Sequence, residues 1–569
     1  MTVSSLARWL PFLKWPRPDA ELLRGEFWAG MTVGLMLVPQ GVAYAALAGM
    51  PLVTGIYASL LPALVAVLWG SSSRLSVGPT ALTSLLIGAS LTGLAEPGSA
   101  QWVALAAWMA LLTGALQLLL GLVRFGWLLN LVTSPVLSGF TQAAALLILA
   151  SQLPALTGLR VPLADLAASP GVQHFDLLGA GMGLGSIAAL VLAKRFWPGF
   201  PAVIVVMGAA ALASRALGYE AGGGAVVGAL PAGLPQPYWP GALPWGTLGA
   251  LIMPVLVITL VSFLETASSA KVEHQEGGTR WNENQDLIAQ GLAKISSGLC
   301  GSFTTSSSFS RSAINLYAGA RTGWATLFAC ALVLVALLWL TPALHHVPQS
   351  VLAAVVVTAI TGLIKPTLLP QLWRISRVEA TIGALTFAVT LAAAPNLYWG
   401  VLAGLVVNLS HFLYQRLHPR IIEVGLHADG SLRDRHLWHL PPLAPRLLAL
   451  RMDAELDFAS ASALERTLSE RMADFPHLAH VCLFAQPINR IDVTGVETFA
   501  RLQALVQRQG CILHISGLKL PVEQALERAR VLVPGPQLCI YRTDTEALQA
   551  LQRITSASLD PGRELHFRT

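Results

Sequence analysis

Residues 304 to 315 read TTSSSFSRSAIN, with five serines, two threonines and Arg311. Hydroxyls are neutral hydrogen-bond donors and a guanidinium adds a fixed positive charge, so this run suits an anion. A second stretch, GSSSRLSVGPTALTSLLIG from Gly70 to Gly88, is also rich in serine and places Pro79 directly after Gly78. Proline is favoured where a helix begins and Ser or Thr just before it. The spacing therefore predicts helices that start near Pro79 and near Ser308 to Arg311. A helix start carries unpaired N–H groups and the positive end of the macrodipole, and two starts facing one cavity would hold an anion. The competing structural reading is a helix contact built from small residues. A third candidate is Glu265, in VSFLETASSAKVE, the only acid expected well within an apolar span; Asp176 and Glu379 fall at span edges. Such acids point to function by default, and proton coupling is the expectation here.

The elements that must position these residues follow from composition. Of 569 residues, 54% are hydrophobic and only 12% charged, with mean hydropathy +0.61. A soluble domain is charged at about a quarter of its positions, so most of this chain is expected in a bilayer. About fourteen apolar segments can be counted from Glu26 to about His418, each near the roughly 20 residues that a spanning helix needs. The third, ninth and tenth are short or broken by Gly, Ser and Pro. A helix that starts at mid-membrane needs partners for its first N–H groups, so such breaks line cavities. Transporters built from inverted repeats place two broken helices at the substrate site. Gln40 precedes Gly78 by 38 residues and Glu265 precedes Ser308 by 43, a similar spacing in each half.

The net charge of +6 does not indicate nucleic acid, because the basic residues fall largely at span ends and in the tail. Arg124, Lys194, Arg195, Lys271, Arg321, Lys365, Arg374 and Arg377 all follow even-numbered segments. The positive-inside rule then places both termini in the cytoplasm. Lys14, Arg17 and Arg24 precede a segment too long for a signal peptide, so no cleavable signal is expected. The expected organisation is a cytoplasmic segment over 1–23, a membrane domain over 24–418, a linker over 419–445, a soluble domain over 446–556 and a tail over 557–569. In the soluble domain, strands such as RLLALRMD and CILHISGL alternate with helices such as SALERTLSERMADF, the pattern of a small α/β domain. The five cysteines, Cys300, Cys330, Cys482, Cys511 and Cys539, have no paired spacing and read as packing residues.

Several stretches are similar to one family. GMTVGLMLVPQGVAYAALAGMPLVTGIYAS, SRLSVGP, NENQDLIAQGLAKISSG and SFSRSAINLYAGA closely resemble the SulP sulfate-permease family of anion transporters. LRMDAELDFASA and INRIDVTGVETF resemble the STAS domain that ends those proteins. The resemblance runs from about Leu22 to Ile554. It implies an α-helical membrane protein of 14 spans, arranged as 7+7 inverted repeats. Spans one to four and eight to eleven would form a core that moves, elevator-like, against a gate. The anion would sit between the third and tenth half-helices. Carried over by position, the substrate residues are Gln40 and Tyr44, then Val77, Gly78 and Thr80, then Ser308, Phe309, Ser310 and Arg311. Family members often have Phe where Tyr44 stands, which makes this site more polar. Proton-coupled members have an acid where Glu265 stands.

Lys294 lies within LIAQGLAKISSG, where relatives commonly have Asn. It could pair with Glu265 and keep it ionised, add positive field to the anion site, or reach the cytoplasmic edge. Arg74 is expected near the cytoplasmic end of the broken third span. Gln142 and Gln152 read as packing groups, and His345 and His346 as solvated loop residues, with no zinc-ligand spacing anywhere. Anti-sigma antagonist STAS domains carry a phosphorylated serine after the aspartate of Asp-Ser-(Ser/Thr)-Gly. The corresponding stretch is Asp492-Val493-Thr494-Gly495, which removes the phosphoacceptor and leaves Thr494 as the expected helix cap.

The function expected is therefore secondary anion transport without enzymatic activity or cofactor, in a bacterial inner membrane, by a homodimer. Sulfate uptake with protons comes first. Bicarbonate, dicarboxylates such as fumarate, sodium coupling and exchange with chloride stay open. A regulatory ligand or protein partner at the STAS domain is possible within the same reading. A nucleobase–proton symporter would want acids or amides at both half-helices and would lack the STAS tail. A membrane-anchored signalling protein would keep the phosphoacceptor that Val493 replaces.

Overall fold

The computed structural model describes residues 10–159, 176–197, 201–475 and 477–557. Residues 1–9 of the expected N-terminal segment and 558–569 of the expected tail lie outside the described residues. The chain divides into two compact units, Met1–Asn408 and Leu409–Thr569.

The first unit is helical. It runs α1 (Ala20–Leu47), α2 (Val53–Trp69), a two-residue strand β1 (Val77–Gly78) and α3 (Ala81–Leu91), then α4 (Ala100–Leu122), α5 (Ser134–Leu156), α6 (Leu177–Phe196) and α7 (Ala202–Ala216). It continues with α8 (Trp245–Gly277), α9 (Glu283–Gly298), a second two-residue strand β2 (Ser306–Ser307) and α10 (Phe309–Tyr317). The rest is α11 (Trp324–Leu344), α12 (Gln349–Ile360), α13 (Leu368–Ile375), α14 (Arg377–Ala392) and α15 (Tyr398–Leu417). Among the described residues, seven helices are long and apolar enough to cross a membrane by length and composition. One order occurs twice: two helices, a two-residue strand, a short helix.

Glycine sets how closely these helices cross. A Cβ on Gly55 of α2 would lie 1.8 Å from the carbonyl oxygen of Gly41 on α1, and one on Gly114 of α4 would lie 2.7 Å from that of Gly291 on α9. Backbones can touch this way only where side chains are absent, the usual solution in membrane helix pairs. α1 is also tied to the start of α11. The buried carboxylate of Glu26 accepts from the N–H groups of Arg321, Thr322 and Ala325, at 2.7–2.9 Å. A negative charge at a helix start is favourable, and burial without such donors would not be tolerated.

The second unit is a six-stranded mixed sheet of order β4-β3-β5-β6-β7-β8. Its strands are β3 (Ile421–Leu426), β4 (Leu432–Asp434), β5 (Leu447–Met452), β6 (His480–Phe484), β7 (Ile512–Ser516) and β8 (Leu538–Tyr541). Strands β5 to β8 are parallel, joined by crossover helices α16 (Ala461–Asp474), α17 (Val493–Arg508) and α18 (Leu520–Arg528), with α19 (Asp544–Ala557) last. Alternation along β5 serves two cores. Leu448, Leu450 and Met452 pack with Leu464 and Phe499, while Leu447 and Ala449 pack with Ala547 and Leu551 of α19.

Two expectations need correction. Residues 419–445, expected as a linker, contain the hairpin β3–β4, and β3 pairs antiparallel with β5. Its short strands hide among His, Arg and Pro, but Ile422 and Val424 are buried against the sheet. The cap of α17 is Asp492, not Thr494: Asp492 Oδ1 accepts from Gly495 N–H at 2.8 Å and Oδ2 from Phe458 N–H at 3.0 Å. Val493 is 76% exposed beside it.

Candidate functional site

The two broken segments meet. β1 and β2 pair antiparallel, Val77 opposite Ser307 and Gly78 opposite Ser306, and Ser308 N–H donates to the Ser76 carbonyl at 3.0 Å. Each strand runs straight into a helix start. Thr80 caps α3, its Oγ1 accepting from Thr83 N–H, and Ser308 caps α10, its Oγ accepting from Arg311 N–H. The strand pairing satisfies backbone groups that could not otherwise be buried. Two capped helix starts are thereby left side by side.

Arg311 is 1% exposed and holds this arrangement together. Its Nε donates to Ser76 Oγ at 3.2 Å, Nη1 to Gln40 Oε1 at 3.1 Å and Nη2 to the Pro79 carbonyl at 3.0 Å. The guanidinium from the second segment thus grips the first segment and α1 together. Its charge remains, but much of its donor fork is engaged. Pro39, just before Gln40 in α1, lacks an N–H and leaves the Leu35 carbonyl without its usual partner four residues on.

Glu265 of α8 is half-buried, and Thr80 Oγ1 donates to its Oε2 at 3.0 Å. The carboxylate is therefore hydrogen-bonded to the residue that caps α3. Lys294 of α9 is fully buried, yet its Nζ has no hydrogen-bond partner, and no ion pair joins it to Glu265. Gln290, one turn before Lys294, donates to Ser307 Oγ of β2 at 3.2 Å.

Glu273 is a second buried acid on α8, close to the C-terminal end of that helix. It lies two turns beyond Glu265 and is 4% exposed. Its Oε1 accepts from the N–H of Arg74 at 3.2 Å and from Arg74 Nε at 3.3 Å. Arg74 is thus paired, and its carbonyl accepts from Asn315 Nδ2 at 2.8 Å. Asp286, also buried, accepts from the N–H of Ser71 at 2.6 Å, from Ser72 Oγ at 2.5 Å and from Trp281 Nε1 at 2.7 Å. These acids clasp the segment leading into β1. Glu273 follows Glu265 by eight residues, which at 3.6 residues per turn is about 80° further round the helix, so no shared face marked it. Lys271 and His274 beside it made that stretch read as a polar end.

A cavity of about 260 Å³ opens beside α10 and α1, lined by Gln40, Ser310, Ile314, Thr32 and Lys194 among others. Of the expected substrate residues, Gln40 and Ser310 reach this lining. Tyr44, Val77 and Thr80 are buried at 6%, 3% and 5% exposure, with Gly78 buried beside them. Ser308 is half-buried and Phe309 exposed. Ser76 belongs with this group on geometry and was missed, because one serine in a serine-rich run carries no distinguishing signal. Gln142 does pack as expected, donating to the Leu363 carbonyl and accepting from Lys365 N–H.

The chain is similar to known proteins over nearly its whole length. The model of the sulfate permease family matches residues 23–386, and that of the STAS domain matches 442–533. A probable sulfate transporter of Mycobacterium tuberculosis is 30% identical over 96% of this chain and 99% of its own length. A chloroplastic sulfate transporter of Arabidopsis thaliana is 29% identical over 97% of this chain and 83% of its own length. The murine solute carrier 26 family member A9, an anion transporter solved in an inward-facing state, superposes with a TM-score of 0.86 at 20% identity. It covers 97% of this chain, which itself spans 95% of that structure.

Proposed function

The chain belongs to the sulfate permease family of membrane anion transporters and ends in a STAS domain, and from that premise we propose that it takes up sulfate together with protons. The observation that carries the reading is the pairing of β1 with β2, which sets the capped starts of α3 and α10 side by side, next to a cavity. Backbone N–H groups at both starts, the hydroxyls of Ser308 and Ser310, and the amide of Gln40 are the donors to the anion, joined by the Thr80 hydroxyl when a protonated Glu265 releases it. Val77, Gly78, Phe309 and Tyr44 shape the walls around it. Arg311 supplies positive field. Its contact with Gln40 Oε1 commits that oxygen and leaves the Gln40 NH2 to donate.

A dianion costs more to bury than a monoanion, and protons carried with it lower that cost. Glu265 is the proton site. Its hydrogen bond to Thr80 joins the carboxyl to the cap of α3, so that gaining a proton changes the donors offered at the substrate site. The full arrangement is 14 spans in two inverted repeats, consistent with the element order that occurs twice. The core slides against the gate as an elevator, both termini are in the cytoplasm of a bacterial inner membrane, and the transporter is a homodimer.

Lys294 supports a second reading. In it, the buried Lys294 ammonium of α9 is the counter-charge that keeps Glu265 ionised. Fixed in that form, Glu265 would carry no proton, and the transport cycle would be anion exchange. Labelled sulfate uptake into proteoliposomes, with and without an inward proton gradient, separates the two. Uptake driven by the gradient and lost in Glu265→Gln supports symport. Uptake that ignores the gradient supports exchange. No sulfate movement overturns the substrate, and bicarbonate and dicarboxylates follow.

A further inference from the structure

Away from the anion site, two loops of the first unit bring three ligand-type side chains together. Glu220 follows α7, and His345 and His346 lie in the turn between α11 and α12. His345 Nε2 is 3.1 Å from Glu220 Oε1 and 3.2 Å from Oε2, and His346 Nδ1 is 3.1 Å from Oε2. One ligand atom from each residue falls within 4.8 Å of the other two, the one such group of three among the described residues.

We propose that Glu220, His345 and His346 form a binding site for a divalent transition-metal ion of the zinc class. Two imidazoles and one carboxylate suit that class, and zinc bonds to such atoms are about 2.0–2.2 Å. Ligand atoms around a tetrahedral ion of that size stand roughly 3.3–3.5 Å apart. The 3.1 Å separations are thus close to coordination spacing before any ion enters, and small side-chain movements complete it.

The backbone already fixes all three. Val227 N–H donates to the Val347 carbonyl at 2.9 Å, Gly228 N–H to the His345 carbonyl at 3.0 Å and Gln349 N–H to the Ala225 carbonyl at 2.9 Å. Gly223 N–H donates to the carbonyl of Glu220 itself at 3.0 Å. Loops already held side by side lose little further freedom when an ion joins their side chains. The side chains are 45%, 32% and 34% exposed, so an ion can enter from water and keep a water molecule as its fourth ligand. Binding would staple the loop after α7 to the turn before α12. The sequence gives no hint of this, because 125 residues separate Glu220 from His345.

The test is titration of the purified full-length chain in detergent with zinc chloride by calorimetry, and with cobalt(II) followed by its visible absorption. Saturable binding of one ion per chain is expected, with the band intensity of a four-coordinate nitrogen-containing cobalt site. His345→Asn, His346→Asn and Glu220→Gln should each weaken binding by more than the roughly tenfold that loss of an outer-sphere partner costs. Glu220→Gln can still accept a hydrogen bond from an imidazole while losing the charge, and melting temperatures check that each variant is folded. Absence of saturable binding overturns the proposal. So does binding that these variants leave unchanged, which would place the ion on other histidines such as His411 and His418.

Discussion

Arg311 Nη1 donates to Gln40 Oε1 at 3.1 Å, fastening the start of α10 to the middle of α1. An arginine in a hydroxyl-rich membrane segment invites the assumption that it grips the anion directly. Here its fork is spread over Ser76, Gln40 and Pro79, so that the charge acts mainly through space. Gln40→Glu would set a carboxylate against the guanidinium and cancel that field. A net loss on the order of 1–3 kcal/mol of anion binding is expected, roughly a 5- to 150-fold rise in the KM for sulfate. The melting temperature should hold or rise, because the new pair is charge-assisted. Gln40→Leu reverses the pattern by leaving an Arg311 donor unpaired, at about 1–3 kcal/mol of stability. Uptake kinetics and thermal melts on both variants check the contrast.

Thr80 has two tasks, capping α3 and donating to Glu265. Thr80→Val keeps the shape and loses both, with about 1 kcal/mol of stability from the cap alone. Gradient-driven uptake should fall at least about tenfold if the hydrogen bond is worth the roughly 1.5–3 kcal/mol usual for a charged acceptor. Thr80→Ser should retain most of it. Uptake lost in Thr80→Ser but kept in Thr80→Val would show that the methyl group, not the hydroxyl, matters.

Glu273 and Arg74 hold the segment that enters β1, and their side chains are 5% and 18% exposed. Glu273→Ala leaves a largely buried guanidinium without its carboxylate, a cost of about 3–5 kcal/mol. Replacing both by Met should cost clearly less than the sum of the single changes. The expected coupling is roughly 1–3 kcal/mol, read from a double-mutant cycle of melting temperatures. Additive effects would mean that the pair is incidental to the clasp.

The parts of this molecule that the sequence disclosed are those where local chemistry and local structure coincide. Pro79 after Gly78 and the serines before Arg311 announce helix starts, and both helices begin there. Alternating strands and helices after Arg446 likewise announce the parallel sheet, because each strand buries a regular pattern on both faces. What stayed hidden depends on partners remote in sequence. Ser76 acts on Arg311 from 235 residues away and Glu273 on Arg74 from 199. The hairpin of β3 and β4 was missed because its strands are short and only Ile422 and Val424 mark a buried face. Glu26 reads as a residue at the edge of a span, and only the fold reveals the start of α11 above it.

Lys294 tests what a buried charge contributes. Its Nζ has no hydrogen-bond partner, so removing it relieves a desolvation penalty and breaks no contact. Lys294→Met fills a similar volume. It should raise stability by about 1–4 kcal/mol, the range seen when buried charges give way to well-packed apolar residues. The melting temperature in detergent reads this directly. A fall instead of a rise would mean that the ammonium is paired under the conditions of measurement. Sulfate uptake by the same variant reports whether that charge contributes field at the anion site.

The STAS domain carries its own sensitivity to acid. His514 of β7 is buried between His480, whose Nδ1 lies 3.0 Å from its Nε2, and Tyr541, whose hydroxyl lies 3.1 Å from its Nδ1. Burial and then the neighbouring His480 push the His514 imidazole down from 6.5 to about 4. Burial, with Arg446 nearby, lowers His480 as well. An unfolded chain therefore binds more protons than the folded one between pH 6.5 and pH 4. The stabilisation is complete above pH 6.5 and declines as the pH falls through that window. The loss from His514 is on the order of 3 kcal/mol. Hydrogen exchange of the β6 and β7 amides in the full-length chain, corrected for the intrinsic effect of pH, should show protection falling from pH 6.5 towards pH 4. His514→Gln, which can still bond to both neighbours but does not titrate, should flatten that dependence. If the variant keeps the same slope, the acid sensitivity lies elsewhere in the sheet.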